Sequence, residues 1–277
     1  MTILPTTPKL PDLRPESFKW LFMGDGGMGK SSILASIPKI LVIDPDNGTA
    51  ALPFDYEPIQ VRSWTDCTSL AKQIKSAKET DLSVYSWIGL DLLNVTYEFC
   101  FNYMCKKLGI DYPPEDFGKT WSMITKEFVN WVRDMGSRLP VIATCHMDFK
   151  DITIKGRTFS RAIQSFPGSK ATSAFKKVKQ YFDIVGYITF DLTVPRESEV
   201  KDQRQVVAGD TKLINLPPQQ QVEATDTRVI HFQPSQYWDA QDTSRQLPEK
   251  VVLPEDWESD WKEIQNAWRY KGGDVGD

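Results

Sequence analysis

GDGGMGKSS, Gly24 to Ser32, is the stretch on which the reading of this chain turns. From Gly24 through Ser31 it runs G-x-x-x-x-G-K-S. That spacing builds a phosphate cradle: glycines let backbone N–H groups turn inward, the lysine reaches the β- and γ-phosphates, and the hydroxyl ligates Mg²⁺. The residues expected around a bound triphosphate, with ATP and Mg²⁺ as the ligands, are therefore Gly24, Asp25, Gly26, Gly27, Met28, Gly29, Lys30, Ser31 and Ser32. An ordinary Gly-rich turn would need nothing particular on either side. Here FKWLFM (Phe18 to Met23) is a compact apolar run before the loop. KSSILASI (Lys30 to Ile37) opens a helix after it, with its N-terminal amides towards the phosphate.

Outward from the loop, strands and helices alternate. Pro38 ends the loop helix, KILVID (Lys39 to Asp44) reads as a buried strand, and IQVR (Ile59 to Arg62) as a short one. Leu70, Ala71, Ile74 and Ala77 recur at helical spacing within Thr65 to Thr80. VYSWIGLDLL (Val84 to Leu93) is a strand carrying a carboxylate near its end. Helices over Asn94 to Leu108 and Lys119 to Arg138 flank the Pro113-Pro114 turn, and LPVIATCHM (Leu139 to Met147) and DIVGYITFDLTV (Asp183 to Val194) complete the sheet. This order predicts an α/β fold with a mainly parallel, doubly wound sheet.

Three regions follow from composition. Residues 1–17 hold Pro5, Pro8, Pro11 and Pro15 and read as an extended, non-helical arm; 18–194 form the core; 195–277 form a looser acidic C-terminal extension. In that extension Pro217 to Gln221 reads as linker, RVIHF (Arg228 to Phe232) as a late strand, and Asp256 to Gly272 as a terminal helix. Trp257, Trp261, Ile264 and Trp268 line up on that helix as one stripe, for docking on the chain's own core or on a partner.

The 277 residues carry a net charge of −4, and the charge is unevenly placed. His146 to Phe182 holds eight basic residues against Asp148 and Asp151, whereas 195–277 holds ten basic and sixteen acidic residues. The chain has no apolar stretch of membrane-spanning length, and MTILPTTPKLPDLRP lacks a signal-peptide pattern, so the expected setting is a cytoplasm, without a membrane. Cys67, Cys100, Cys105 and Cys145 form no C-x-x-C pair and no zinc spacing with His146 or His231. They read as buried free thiols.

Phosphoryl chemistry needs a second carboxylate for the metal and a group to orient the attacking water. Asp91, at the end of WIGLD, is the candidate Mg²⁺ carboxylate beside Ser31; the alternative is a helix N-cap. Asp44 and Asp46, in VIDPDNGT, end the next strand and can project towards the γ-phosphate, although Pro-Asp-Asn-Gly is also good turn chemistry.

The set Gly24 to Ser32, VIDPDNG, WIGLD and VIATCH resembles the RecA-like P-loop NTPase core, most closely the phage family of single-strand annealing ATPases called Sak, type four. The resemblance spans Phe18 to Val194. It implies an ATPase of phage DNA recombination that binds single-stranded DNA, promotes annealing and assembles as a homo-oligomer, with a single-strand-binding or replication protein as a further partner. The family's water-polarising residue is usually Glu. Asp46 stands at that position one methylene shorter, a departure that bears on hydrolysis and not on binding. His146 matches the position of a γ-phosphate sensor at the carboxyl end of a core strand, where ligands bind in open α/β sheets. Its plain alternative is a satisfied core histidine.

After His146 the resemblance implies a mobile DNA-contacting loop. This segment interleaves Lys150, Lys155, Arg157 and Arg161 with Phe149, Phe159 and Phe166, charge for phosphates and aromatic faces for stacking. The alternative is a solvated basic loop. Lys170, Lys176, Lys177 and Lys179 lie in SKATSAFKKVKQYFD, whose Phe175, Val178 and Phe182 share one helical face. They are its wet side, an extension of the groove, or cations acting on a neighbour's nucleotide, as are Arg196 and Arg204. Two other functions use the same loop: a small-molecule or nucleotide kinase with Lys155 to Arg161 as lid, and a nucleotide-gated adaptor such as a helicase loader.

Overall fold

Five apolar residues in a row, with no polar alternation, make Trp20–Gly24 (β1) a strand that must be covered on both faces, and all five are buried. A computed structural model of the chain describes residues 11–114, 116, 118–154, 157–164, 177–193, 223–235 and 237–269. In chain order the further elements are α1 (Lys30–Ala35), β2 (Ile40–Asp44), β3 (Ile59–Gln60), α2 (Trp64–Ser76), α3 (Glu79–Leu82), β4 (Trp87–Leu90), α4 (Leu93–Leu108) and α5 (Lys119–Met135). They continue with β5 (Val141–Ile154), β6 (Arg157–Gln164), β7 (Ile184–Thr193), β8 (Glu223–His231), β9 (Gln241–Asp242), β10 (Lys250–Val252) and α6 (Asp260–Ala267).

The sheet runs β10-β8-β7-β1-β5-β4-β2-β3, parallel from β7 to β3 and antiparallel at β8 and β10. β5 is inserted between β1 and β4, so three strand ends that carry site residues converge: Gly24 lies opposite His146, and Asp91 follows β4 directly. This is the mainly parallel α/β sheet that the sequence predicts.

The two faces bury separate cores. On one, α2, α4 and α5 supply Trp64, Tyr97, Phe128 and Trp131. On the other, α1 and α6 cover Trp20, Phe22 and Trp87. The terminal aromatic stripe belongs to this second core: Trp261 sits edge-on to Trp20 and Trp87 with ring centroids 5.3 and 5.5 Å apart, and Trp268 packs 5.5 Å from Trp20. Docking on the chain's own core is therefore the correct alternative for Trp261, Ile264 and Trp268, all buried. Beyond Val194, β8 pairs with β7 and β10 with β8, which adds the late strand to the same sheet.

Three local expectations change. The arm ends in one 3-10 turn, Pro15–Ser17, with proline at its first position, where no N–H is required. The segment after His146 is not an irregular loop: β5 continues to Ile154 and pairs antiparallel with β6, Met147 opposite Gln164 through Ile154 opposite Arg157. Its β-branched and aromatic residues, Ile152, Thr153, Ile154, Thr158 and Phe159, favour the pleated ladder over open loop. The terminal helix is short, a 3-10 turn at Trp257–Ser259 leading into α6.

Candidate functional site

The loop between β1 and α1 holds its shape through two left-handed glycines, Gly27 at φ 78° and Gly29 at φ 80°, a region costly for any L side chain. Asp25 accepts from the Gly26 amide at 2.7 Å. Lys30, first residue of α1 and nearly fully buried, curls back over the loop and donates through Nζ to the carbonyls of Gly24 at 3.1 Å and Asp25 at 2.7 Å. Burial pulls the Lys30 pKa down, and the carboxylates of Asp91 and Asp25 pull it up.

Asp91 is buried just past the carboxyl end of β4, its amide donating to the Ile43 carbonyl at 3.0 Å. The peptide to Leu92 is cis. The carboxylate accepts hydrogen bonds from the hydroxyls of Ser31 and Thr144. Burial pushes its pKa up, while those two hydroxyls and Lys30 pull it down. The N-cap alternative is ruled out: α4 starts behind Leu92 with no side-chain cap. The structure thus brings Lys30, Ser31 and Asp91 together as expected. One hydroxyl beside one carboxylate fits Mg²⁺, which takes few protein ligands and completes its shell with phosphate oxygens and water. Among the described residues no group of three or more His, Cys, Asp or Glu forms a metal cage.

Asp44 and Asp46 separate into two roles. Asp44 is buried and accepts from the amides of Asp46, Gly48 and Thr49 at 3.2, 3.3 and 3.1 Å, from the Thr49 hydroxyl, and from Gln60 Nε2 at 3.2 Å. Burial opposes its ionisation, but the Thr49 bonds and the others outweigh it and hold the pKa low. It shapes the turn. Asp46 is exposed at the turn, with Oδ1 accepting from the Gly48 amide at 3.2 Å, and desolvation together with Asp44 raises its pKa.

His146 ends the part of β5 that lies beside β1. Its amide donates to Asn94 Oδ1, on the first turn of α4, at 3.1 Å. Half-burial and then Lys30 lower its pKa, which favours a neutral imidazole. Lys30, Asp46, Asp25 and Asp148 are near enough for their charges to act on it.

Beyond His146 the hairpin places Lys150 and Arg161 opposite one another in register, Phe149 stands 56% exposed, and the Ala162 amide bonds the Tyr237 carbonyl at 2.8 Å. Of Lys150 and Arg157 only the strand positions are described. Lys155, Phe166, Lys170, Phe175, Lys176, Arg196, Arg204 and the 217–221 linker lie outside the described residues. Val178 and Phe182 are buried as their spacing requires. Lys177 is exposed on the outer side of a packed segment, and Lys179 is largely covered in its pair with Asp239 at 2.5 Å. All four cysteines are free and buried.

Four partners carry no assigned role in the sequence. Thr144 carries a faint signal, one hydroxyl two residues before His146 in an apolar strand. Thr49 and Gln60 carry none, since turn and strand-edge polar residues are common. Arg228, whose guanidinium lies against Gly29, stands two hundred residues from the loop and is visible only in three dimensions.

Residues 16–244 match the family model described as AAA domain (AAA_24). No curated protein matches. Among solved structures, the chain is similar to an ATPase from the type III secretion system of pathogenic bacteria, at 12% identity and a TM-score of 0.42, over 63% of this chain and 51% of that one. The chain thus spans about half the length of that structure.

Proposed function

The chain belongs to the AAA domain family of P-loop ATPases, and from that premise we propose that it hydrolyses ATP to control binding of single-stranded DNA during strand annealing. The observation that carries this reading is the continuity of β5. One strand sets His146 opposite Gly24 and then runs on, without a break, into the hairpin that bears Lys150, Arg157 and Arg161. A shift at the γ-phosphate end of that strand is felt along the hairpin, because a paired strand moves as a unit.

In this reading Lys30 leaves the Gly24 and Asp25 carbonyls for the β- and γ-phosphates, exchanging two loop bonds for charge-assisted ones. Ser31 and Asp91 would hold Mg²⁺, which neutralises charge on the phosphates. Asp46 orients water, and neutral His146 donates its ring N–H to the γ-phosphate without adding charge. The hairpin tracks the strand through its cations, with Phe149 free to stack on a base. The resemblance to phage annealing ATPases supports a homo-oligomer in a host cytoplasm, with a single-strand-binding or replication protein as partner. Among the described residues no helix is long and apolar enough to cross a membrane.

ATP turnover with no DNA, single-stranded DNA and duplex DNA, measured side by side, tests the proposal. The expected result is phosphate release without any acceptor, raised most by single strands; turnover indifferent to DNA, with no oligonucleotide binding, refutes it. A second reading, a nucleotide-gated adaptor such as a helicase loader, is favoured by Asp46 itself, which is short and tied to the Gly48 amide. ATP-dependent DNA binding without turnover is its signature. A kinase would instead require an added acceptor for phosphate transfer.

A further inference from the structure

We infer that Arg228 is a positioning residue for the phosphate loop: held by Asp260, it braces Gly29 and makes the C-terminal segment a working part of the nucleotide site. The inference rests on the ATP-binding reading above.

A Cβ built at Gly29 would run into Arg228 Nη1, so the guanidinium fills the space beside that α-carbon. Arg228 is not free to move. Its Nη1 and Nη2 each donate to Asp260 at 2.9 Å, and Nη2 also donates to the Pro254 carbonyl at 2.9 Å. Its own carbonyl accepts from the Leu253 amide at 2.8 Å. The Asp260 side chain is fully buried and that of Arg228 only 14% exposed, so the fork is largely shielded from solvent.

The same element grips α1 at its other end. The Trp261 amide, next to Asp260, donates to Ser36 Oγ at 3.0 Å, and that hydroxyl donates to the Ile33 carbonyl at 2.7 Å. The start of α6 thus touches the helix behind the loop at both ends, through Arg228 at Gly29 and directly at Ser36. Beneath it, Trp261 packs on Trp20 of the strand that feeds the loop.

Phosphate binding by inward-turned amides depends on the loop holding its left-handed residues in place before the ligand arrives, since ordering it at binding costs affinity. Arg228 acts through Gly29 and not on phosphate. Its charge is already matched by Asp260, and its role is to keep the loop from relaxing outward.

ATP affinity, from titration of a fluorescent analogue, is compared for the full chain, Lys30→Ala, Arg228→Met, Asp260→Asn and Ser36→Ala. Each is measured at the same interval below its own Tm. Arg228→Met and Asp260→Asn are expected to weaken binding about tenfold and about threefold. Ser36→Ala, which loosens the far contact of the same element, is expected to stay within about twofold, an outcome a merely structural role for Arg228 would not give. Arg228→Met within twofold of the parent, or Ser36→Ala weakened equally, overturns the inference; should Arg228→Met not fold, Asp260→Asn decides it by the same limits. Lys30→Ala separates the two levels: unchanged affinity there sinks the ATP-binding reading itself, whereas its loss with Arg228→Met unaffected sinks only this inference.

Discussion

Gly29→Ala adds one methyl, and the structure allows its cost to be worked out. At φ 80° an L side chain costs about 1–2 kcal/mol. The new Cβ would also lie inside contact distance of Arg228 Nη1 and 3.4 Å from its Cζ. A surface arginine would swing aside, but this one is fixed by Asp260 and the Pro254 carbonyl. Ordinary packing needs ~3.5 Å, so the guanidinium must retreat by about 1 Å. That stretches the 2.9 Å bond from Nη1 to Asp260 beyond hydrogen-bonding range. Losing one charge-assisted bond costs about 1.5–3 kcal/mol, and the sum with the backbone term is about 2.5–5 kcal/mol. In an Arg228→Ala background only the backbone term of about 1–2 kcal/mol remains, so the two sites should couple by about 1.5–3 kcal/mol. Urea unfolding followed by tryptophan fluorescence on the parent, both single variants and the double variant measures this directly. Additivity within about 0.5 kcal/mol would show that Arg228 does not brace the loop.

Four further outcomes are expected. Trp261→Ala should lower stability by ~3–5 kcal/mol, of which the edge-on pairs with Trp20 and Trp87 supply about 0.5–1.5 each; a loss below about 1 in urea unfolding would mean that α6 is not docked. Burial pushes the Cys67 and Cys145 thiols up to about 12, so at pH 8 a thiol reagent should label them only as fast as the chain unfolds; labelling of the folded protein within seconds contradicts this placement. The lowered pKa of Asp44 means its stabilisation is complete above the unfolded carboxylate pKa and is lost as pH falls through the folded one. The stability gap between the parent and Asp44→Asn should therefore shrink on acidification from about pH 5 towards pH 2, and a gap independent of pH refutes the assignment. Replacing Lys150, Lys155, Arg157 and Arg161 together by Gln should flatten the salt dependence of oligonucleotide binding by about 0.7 per lost phosphate contact; an unchanged slope removes the hairpin from the DNA path.

What the sequence made legible is local. G-x-x-x-x-G-K-S and the apolar runs ending in Asp91 and His146 carry their chemistry in adjacent residues, and strand ends converge in a parallel sheet whatever the details of the helices. The resemblance singled out Asp46, but the residues alone did not separate it from Asp44, because two carboxylates so close in a turn look alike until Thr49 and Gln60 are seen to claim the first. The hairpin was hidden because dense charge between β-branched residues reads equally as loop or as solvated ladder, and only pairing between Met147–Ile154 and Arg157–Gln164 decides it. Arg228 was illegible because its meaning lies in three partners, Gly29, Pro254 and Asp260, that no sequence spacing connects.

The same loop is thus held from two directions. On one side, β5 joins Gly24 to the hairpin through the sheet; on the other, Arg228, held by Asp260, fixes Gly29. Two rigid contacts on one short loop leave it few ways to move, and the Lys30 bonds to the Gly24 and Asp25 carbonyls are the part that a phosphate displaces most readily. Motion released there cannot be absorbed behind the loop if the brace holds. It must pass along β1 and β5, towards His146 and the hairpin. This gives the proposed ATP control of DNA binding a direction that depends on the brace. Weakening Arg228 should then uncouple the two ligands, leaving oligonucleotide binding intact while reducing its dependence on ATP. If ATP shifts oligonucleotide affinity by the same factor in Arg228→Met as in the parent, at ATP concentrations that saturate both, the route through β5 does not need the brace.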